Sequence, residues 1–86
     1  FRMGAATGPV QLLRAERRVV GTTIARAVRL EAAADVGQLV VDAATHALLP
    51  ADVRALYGRE EEVRGKRGER FRARRFPPAR PARRAW

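Results

Sequence analysis

Between Thr22 and Ala34 the polar and apolar positions follow a helical period: Ile24, Ala27 and Val28 fall on one face, while Arg26, Arg29 and Ala33 lie toward another. This spacing predicts a helix from Thr22 or Thr23 to about Ala34. Thr22 is placed to cap it by accepting from a backbone N–H of the first turn, and Gly37 lies just past its end. The neighbouring segments are too short for helices. FRMGAA, residues 1–6, alternates weakly and breaks at Gly8 and Pro9, which suits a strand ending in a turn. Val10 to Leu13 and Arg17 to Val20 have the length of two hairpin arms around Arg14, Ala15 and Glu16.

QLVV, residues 38–41, is a compact apolar run and predicts a buried strand. Asp42 then suits the N-cap of a short helix, AATHALL, which Pro50 stops. Farther on, Ala55 to Val63 and Arg70 to Phe76 bracket Gly65-Lys66-Arg67-Gly68, with glycines where a hairpin loop wants them. Beyond Phe76, in PPARPARRAW, each proline removes a backbone donor and fixes φ, so residues 77–86 are expected to form a disordered tail. With both strands and helices expected, and some strands paired antiparallel in hairpins, the expected class is α+β.

At 86 residues the chain has room for one small domain, whose core is necessarily modest. Cysteine is absent, so there is no disulfide framework or thiolate metal site, and His46 cannot make a zinc site alone. No apolar window of about 18 residues suggests a membrane span, and the N-terminus lacks the pattern of a secretory signal. The expected setting is cytoplasmic. Phe1 opens the sequence and Met3 is its only methionine, so the chain is read as beginning inside a longer protein. Arginine and alanine supply 17 residues each, whereas serine and asparagine are absent and lysine occurs once. Such a bias fits a GC-rich coding sequence and lowers the weight of any motif built on Arg or Ala.

Net charge is +9, and its distribution matters more than its size. Residues 1–63 carry eight Arg against eight acids and are neutral, whereas residues 64–86 carry nine Arg and Lys66 against Glu69 alone. That basic stretch, with Phe71, Phe76 and Trp86 available for stacking, could track the phosphates of a nucleic acid or bind anionic lipid. Much of it also belongs to the expected final hairpin, and only three of the arginines lie in residues 77–86. The prolines at 78 and 81 followed by Arg83 match a proline-rich ligand pattern too common in biased tails to carry weight.

Taken in order, FRMGAATGPV, VVGTTIARAVRLEAAADVGQLVVDAATHALL and YGREEEVRGKRGERFRARRF resemble the C-terminal half of a class III nucleotidyl (adenylyl or guanylyl) cyclase domain. The resemblance covers about residues 1–76 and rests on joint order and spacing. It implies half of a ferredoxin-like domain, with sheet edges and an apolar face left uncovered in this chain alone. It also implies a reaction in which a ribose 3′-hydroxyl attacks the α-phosphate of ATP or GTP and releases pyrophosphate. Mg or Mn ions would be held by two aspartates of the N-terminal half, ahead of Phe1. Asp35, Asp42 and Asp52 match none of the family's metal positions, and no metal ligand or cofactor is assigned to this chain. The implied partner is a second cyclase domain in a homodimer, because the family builds its site from two such domains.

On the family pattern, Arg29 in the run AVRL occupies the position of the arginine that stabilises charge on the transferred phosphate. Ala25, four residues earlier on the same helical face, stands where the family has an asparagine, and Arg18 stands where many members place a purine-reading aspartate. Both substrate-binding positions are therefore substituted, and the fragment by itself is expected to be inactive. Alternatives are a catalytically dead pseudo-cyclase that binds nucleotide or a partner domain, and a basic module for nucleic acid or anionic membrane. Arg26 has no role in the family pattern and is expected on a solvated face. His46 is expected to pack, not to act as a base, and Glu60, Glu61 and Glu62 are expected to pair with Arg70, Arg72 and Arg74 across the hairpin.

Overall fold

A computed structural model describes residues 1–78 and shows a mixed four-stranded sheet with one main helix against a single face. Strand β1 (Arg2–Ala5) leads to a hairpin of β2 (Gln11–Leu13) and β3 (Arg18–Val20), then to α1 (Thr22–Ala33) and β4 (Gln38–Asp42). Two short helices, α2 (Ala43–Ala47) and α3 (Ala51–Arg54), precede β5 (Glu61–Arg64) and β6 (Arg70–Phe76). The sheet order is β1-β4-β6-β5, with β2 and β3 forming a separate two-stranded ribbon. Parallel pairing of β1 with β4 aligns Gly4 with Val40, and antiparallel β6 sets Ala73 against both Asp42 and Glu61. The class is α+β, as expected.

Alternation along these strands decides what lies under α1. Val40 and Asp42, Val63, and Phe71, Ala73 and Arg75 share one face by register. Leu30, Ala34, Val40, Val63 and Ala73 form the core, with Ala6, Ala33 and Phe71 packed against it. Among the described residues only Leu30, Val40 and Val41 are large side chains with almost no exposure, each contributing about 1.5–3 kcal/mol by burial. With so few of them, backbone fit and polar bonds carry an unusual share of the fold.

Helix α1 faces the sheet through Thr23, Ala27, Leu30 and Ala34, while Ile24 and Val28 point outward and are about half exposed. Two contacts set this rotation. Gly4 lets the helix backbone at Ala27 and Glu31 lie directly on β1, where a Cβ would strike both. On the preceding side, Thr23 Oγ1 donates to the Pro9 carbonyl at 2.7 Å. Thr22 is the first helical residue and not a cap; Gly21 holds the N-cap position at φ 142°, with no side-chain cap bond.

The C-terminal end of α1 is fastened by Arg75. Its Nη1 donates to the Ala33 carbonyl and to Gln38 Oε1, each at 2.7 Å, and its Nε donates to Glu61 at 3.0 and 3.1 Å. A last-turn carbonyl that the helix cannot satisfy itself is thus bonded to a cation, which also suits the negative end of the helix. Replacing Arg75 with methionine keeps the stem's packing and removes these bonds, with an expected loss of about 2 kcal/mol by urea unfolding. An unchanged unfolding midpoint would show that α1 ends without this support.

Asp42 caps α2 as expected, accepting from the Thr45 N–H at 2.9 Å. The helix stops at Ala47, short of Leu49, and α3 begins after Pro50, whose φ of −59° suits a helix start. Residues after Ala51 therefore do not form the long hairpin arm read from Ala55 onward; β5 begins only at Glu61. Arg54 Nη1 donates to the Leu49 carbonyl at 2.7 Å and holds this corner. At the start of the segment read as a tail, the Pro77 carbonyl accepts from Gln38 Nε2 at 2.9 Å. Residues 79–86 of that tail, including Trp86, lie outside the described residues. Among the described residues no helix is long and apolar enough to cross a membrane.

Candidate functional site

Residues four apart on a helix stand one above the other, about 6 Å along its axis. In α1 that relation places Ala25 and Arg29 on one stripe, and the stripe opens onto the β5–β6 hairpin. Between them lies a cleft of ≈ 230 Å³ lined by Thr22, Ala25, Arg26 and Arg29 of α1 and by Glu69, Arg70 and Phe71 of the hairpin, so three arginines there face one carboxylate. Sites for drug-sized ligands occupy about 300–1,000 Å³. The cleft can therefore take a compact group such as a phosphoryl, and a larger ligand would need a second surface.

The charges around it are unequal in their freedom. Arg70 has Glu62 at 3.7 Å, with both side chains well exposed. Arg29 is half-buried and forms no ion pair among the described residues. It also lines a second depression, with Glu62, Val63 and Arg64 on the far side of the hairpin. Arg29 is thus the cation of α1 whose five donors remain available to an anion.

Arg26 is not on a solvated face. Its Nη1 donates to Asp42 Oδ2 at 3.0 Å, and its guanidinium lies 5.9 Å above the Phe71 ring centroid. The Arg26 side chain is 31 % exposed, against 4 % for that of Asp42. Its partner is at the centre of a small polar network: Asp42 Oδ1 accepts from the Thr45 hydroxyl at 2.5 Å and Oδ2 from the Thr7 N–H at 3.4 Å. The Thr7 and Thr45 hydroxyls meet at 2.7 Å. Burial pushes the Asp42 carboxyl up, but the bonds from Thr45, Arg26 and Thr7 outweigh it and hold the group below its ordinary value. With both oxygens committed, Asp42 does not fit the role of a metal ligand. Among the described residues no three His, Asp or Glu side chains converge on a common point.

Arg18 stands apart from this cleft. It projects from β3, exposed, and its nearest acid is Glu16 at 3.5 Å. The structure therefore brings Arg29 and Ala25 together and leaves Arg18 on the separate ribbon. His46 packs edge-to-face against Tyr57 at 5.4 Å and contacts the Arg54 carbonyl at 3.3 Å, as expected for a packed residue. Across the hairpin, Glu62 pairs with Arg70 and Glu60 with Arg72, but Glu61 pairs with Arg75, not Arg74. Arg74 instead donates to the Gly58 carbonyl at 3.3 Å. The signal for Arg75 and Phe71 was the strict alternation of β6, which puts residues 71, 73 and 75 beneath α1.

Compared with known protein families, curated proteins and solved structures, the chain matches none of them. Fold and site define it as a small α+β domain with a helix-borne cation facing a β-hairpin.

Proposed function

We propose that the chain is the C-terminal half of a ferredoxin-like nucleotidyl cyclase homology domain, belonging to a cytoplasmic parent that acts in cyclic-nucleotide signalling. The observation that carries this reading is the α1 stripe: Arg29, free of any ion pair among the described residues, opens onto a cleft of phosphoryl size. There its guanidinium would meet charge developing on the α-phosphate as the ribose 3′-hydroxyl attacks. Divalent Mg or Mn would supply activation of that hydroxyl, bound by aspartates that this chain does not provide. Because the cleft accommodates only part of a nucleoside triphosphate, a second cyclase domain in a dimer would complete the site, and this chain alone is inactive.

Ala25 offers no hydrogen bond at the neighbouring position, and Arg18 lies outside the cleft with donors only. These two features favour the second reading, a pseudo-cyclase that binds nucleotide or its partner domain without turnover. The deciding experiment uses the parent protein with manganese and ATP or GTP, measuring cyclic product and, separately, nucleotide binding. Arg29→Ala is expected to lower product formation by about 100-fold if the parent is active. Binding without product supports the pseudo-cyclase; absence of both binding and product overturns the cyclase reading altogether.

A further inference from the structure

The tip of the β5–β6 hairpin gathers cations that nothing in the fold requires to be close. Between Arg64 and Arg70 the sequence places Arg64, Lys66, Arg67 and Arg70 against Glu69 alone. The strand register sets Arg64 directly opposite Arg70. Val63 and Phe71 face the helix side, so Arg64 and Arg70 start from the other face of the strands; both are exposed, and both also border the depressions beside Arg29. Like charges directly opposite on paired strands repel each other. The hairpin therefore holds a cation pair at a cost that a bound polyanion would remove.

The acids nearby do little to offset it. Glu69 turns back into the loop, where its Oε2 accepts from the Arg67 N–H at 3.2 Å. Glu62 reaches Arg70 only at 3.7 Å, with the side chains 62 % and 59 % exposed, a geometry of small worth. Arg64, Lys66 and Arg67 have no ion pair among the described residues. The loop itself is fixed, with the Gly65 N–H donating to the Glu69 carbonyl at 2.7 Å and Gly68 at φ 85°. These cations are thus presented on an ordered turn.

We infer that this hairpin is a contact surface for the phosphate backbone of nucleic acid, a property independent of the cyclase reading. Arg70 and Arg72 extend the tip along one face of β6, about 6.8 Å apart, each beside an exposed acid, Glu62 at 3.7 Å and Glu60 at 3.4 Å; the cations without an acid are Arg64, Lys66 and Arg67 at the tip, and they offer a polyanion its first contacts. A two-stranded ribbon of this kind also fits the width of a DNA major groove. A membrane surface fits less well: Gly65 to Glu69 contain no apolar side chain to enter the headgroup region, and Phe71 is turned beneath α1. The contacts are to phosphates, so binding is expected to be independent of sequence.

The test measures anisotropy of a labelled 20-base-pair DNA duplex titrated with the full chain at several salt concentrations. Wild type is compared with the triple variant Arg64→Ala/Lys66→Ala/Arg67→Ala and with Arg80→Ala/Arg83→Ala/Arg84→Ala, which removes the same charge elsewhere. Loss of three phosphate contacts should lower the slope of log affinity against log salt by about 2.7, and the tail variant should change it less. Circular dichroism checks the fold; should the triple variant unfold, Lys66→Gln/Arg67→Gln in the turn carries the comparison with an expected slope change of about 1.8. Equal losses in hairpin and tail variants would reduce the effect to net charge and overturn the assignment. Binding to phosphatidylserine vesicles without binding to the duplex would overturn it in favour of a lipid surface.

Discussion

Gly4→Val is expected to abolish cooperative unfolding of the domain, and Gly4→Ala to lower its thermal midpoint by at least about 12 °C. Gly4 lies on the helix side of β1, and a Cβ there would strike the Ala27 carbonyl oxygen and the Glu31 nitrogen, and would lie 2.9 Å from the Leu30 carbonyl carbon. All three are backbone atoms, which cannot swing aside as a side chain can. The helix would have to lift from the sheet, and Leu30, wholly buried now, would lose its seat against Val40. Overpacking costs about 1–3 kcal/mol and occasionally more, and the upper end applies where the obstruction is main chain. For a domain of this size 1 kcal/mol moves the midpoint by about 4–8 °C, and the whole stability is on the order of 4–13 kcal/mol. Melting followed by far-UV circular dichroism reads the result. An unchanged midpoint for Gly4→Ala would mean that α1 does not rest on β1 as described.

Asp42→Ala is expected to cost about 3 kcal/mol, and Asp42→Asn about 2. The carboxylate is 3 % exposed and serves two elements at once, the first turn of α2 through Thr45 and the middle of α1 through Arg26. Breaking a fully buried pair costs about 3–5 kcal/mol, but the Arg26 side chain is 31 % exposed and can recover some hydration, which lowers that figure. Loss of the cap adds about 1 kcal/mol. Asparagine keeps an acceptor for Thr45 and removes only the charge, so the difference between the two variants isolates the cap. Because the folded carboxyl titrates below its ordinary 3.8, the unfolded chain binds more protons in that window and stability rises with pH through it. The gap between wild type and Asp42→Asn should therefore be constant above about pH 5 and narrow as pH falls through 3.8 toward the folded value. Urea unfolding at a series of pH values measures it; a gap that persists unchanged to acid pH would show that the charge is not what stabilises.

Most elements of the fold are legible in the chain because each is set by local chemistry. The small-residue helix, the apolar run at 38–41, the Asp42 cap and the glycines of the last hairpin act over a few residues, and each appears where its signal lies. Where the reading went astray, a distant partner intervened. Periodicity puts Ile24 and Val28 on one face with Ala27 but does not say which face goes inward; Gly4 and the Pro9 carbonyl turn the helix so that Thr23 and Leu30 do. Arg26 looks solvated until β4 brings Asp42 beneath it. By contrast, the arm read from Ala55 is shortened by a local cause, since the Leu56 and Tyr57 N–H groups donate to the Val53 and Arg54 carbonyls and continue the turn of α3, so β5 begins only at Glu61.

The candidate site divides in the same way. Sequence by itself determined that Ala25 and Arg29 share a helical stripe, since spacing of four on a helix permits nothing else. It also determined that the last hairpin is basic. Only the tertiary structure decided that this stripe faces the hairpin, that Arg29 is left without an acid while Arg26 receives Asp42, and that Arg64 stands opposite Arg70. Periodicity fixes directions within one element, whereas the partner of a charge depends on register and helix rotation, which are set by contacts as much as 42 residues apart along the chain.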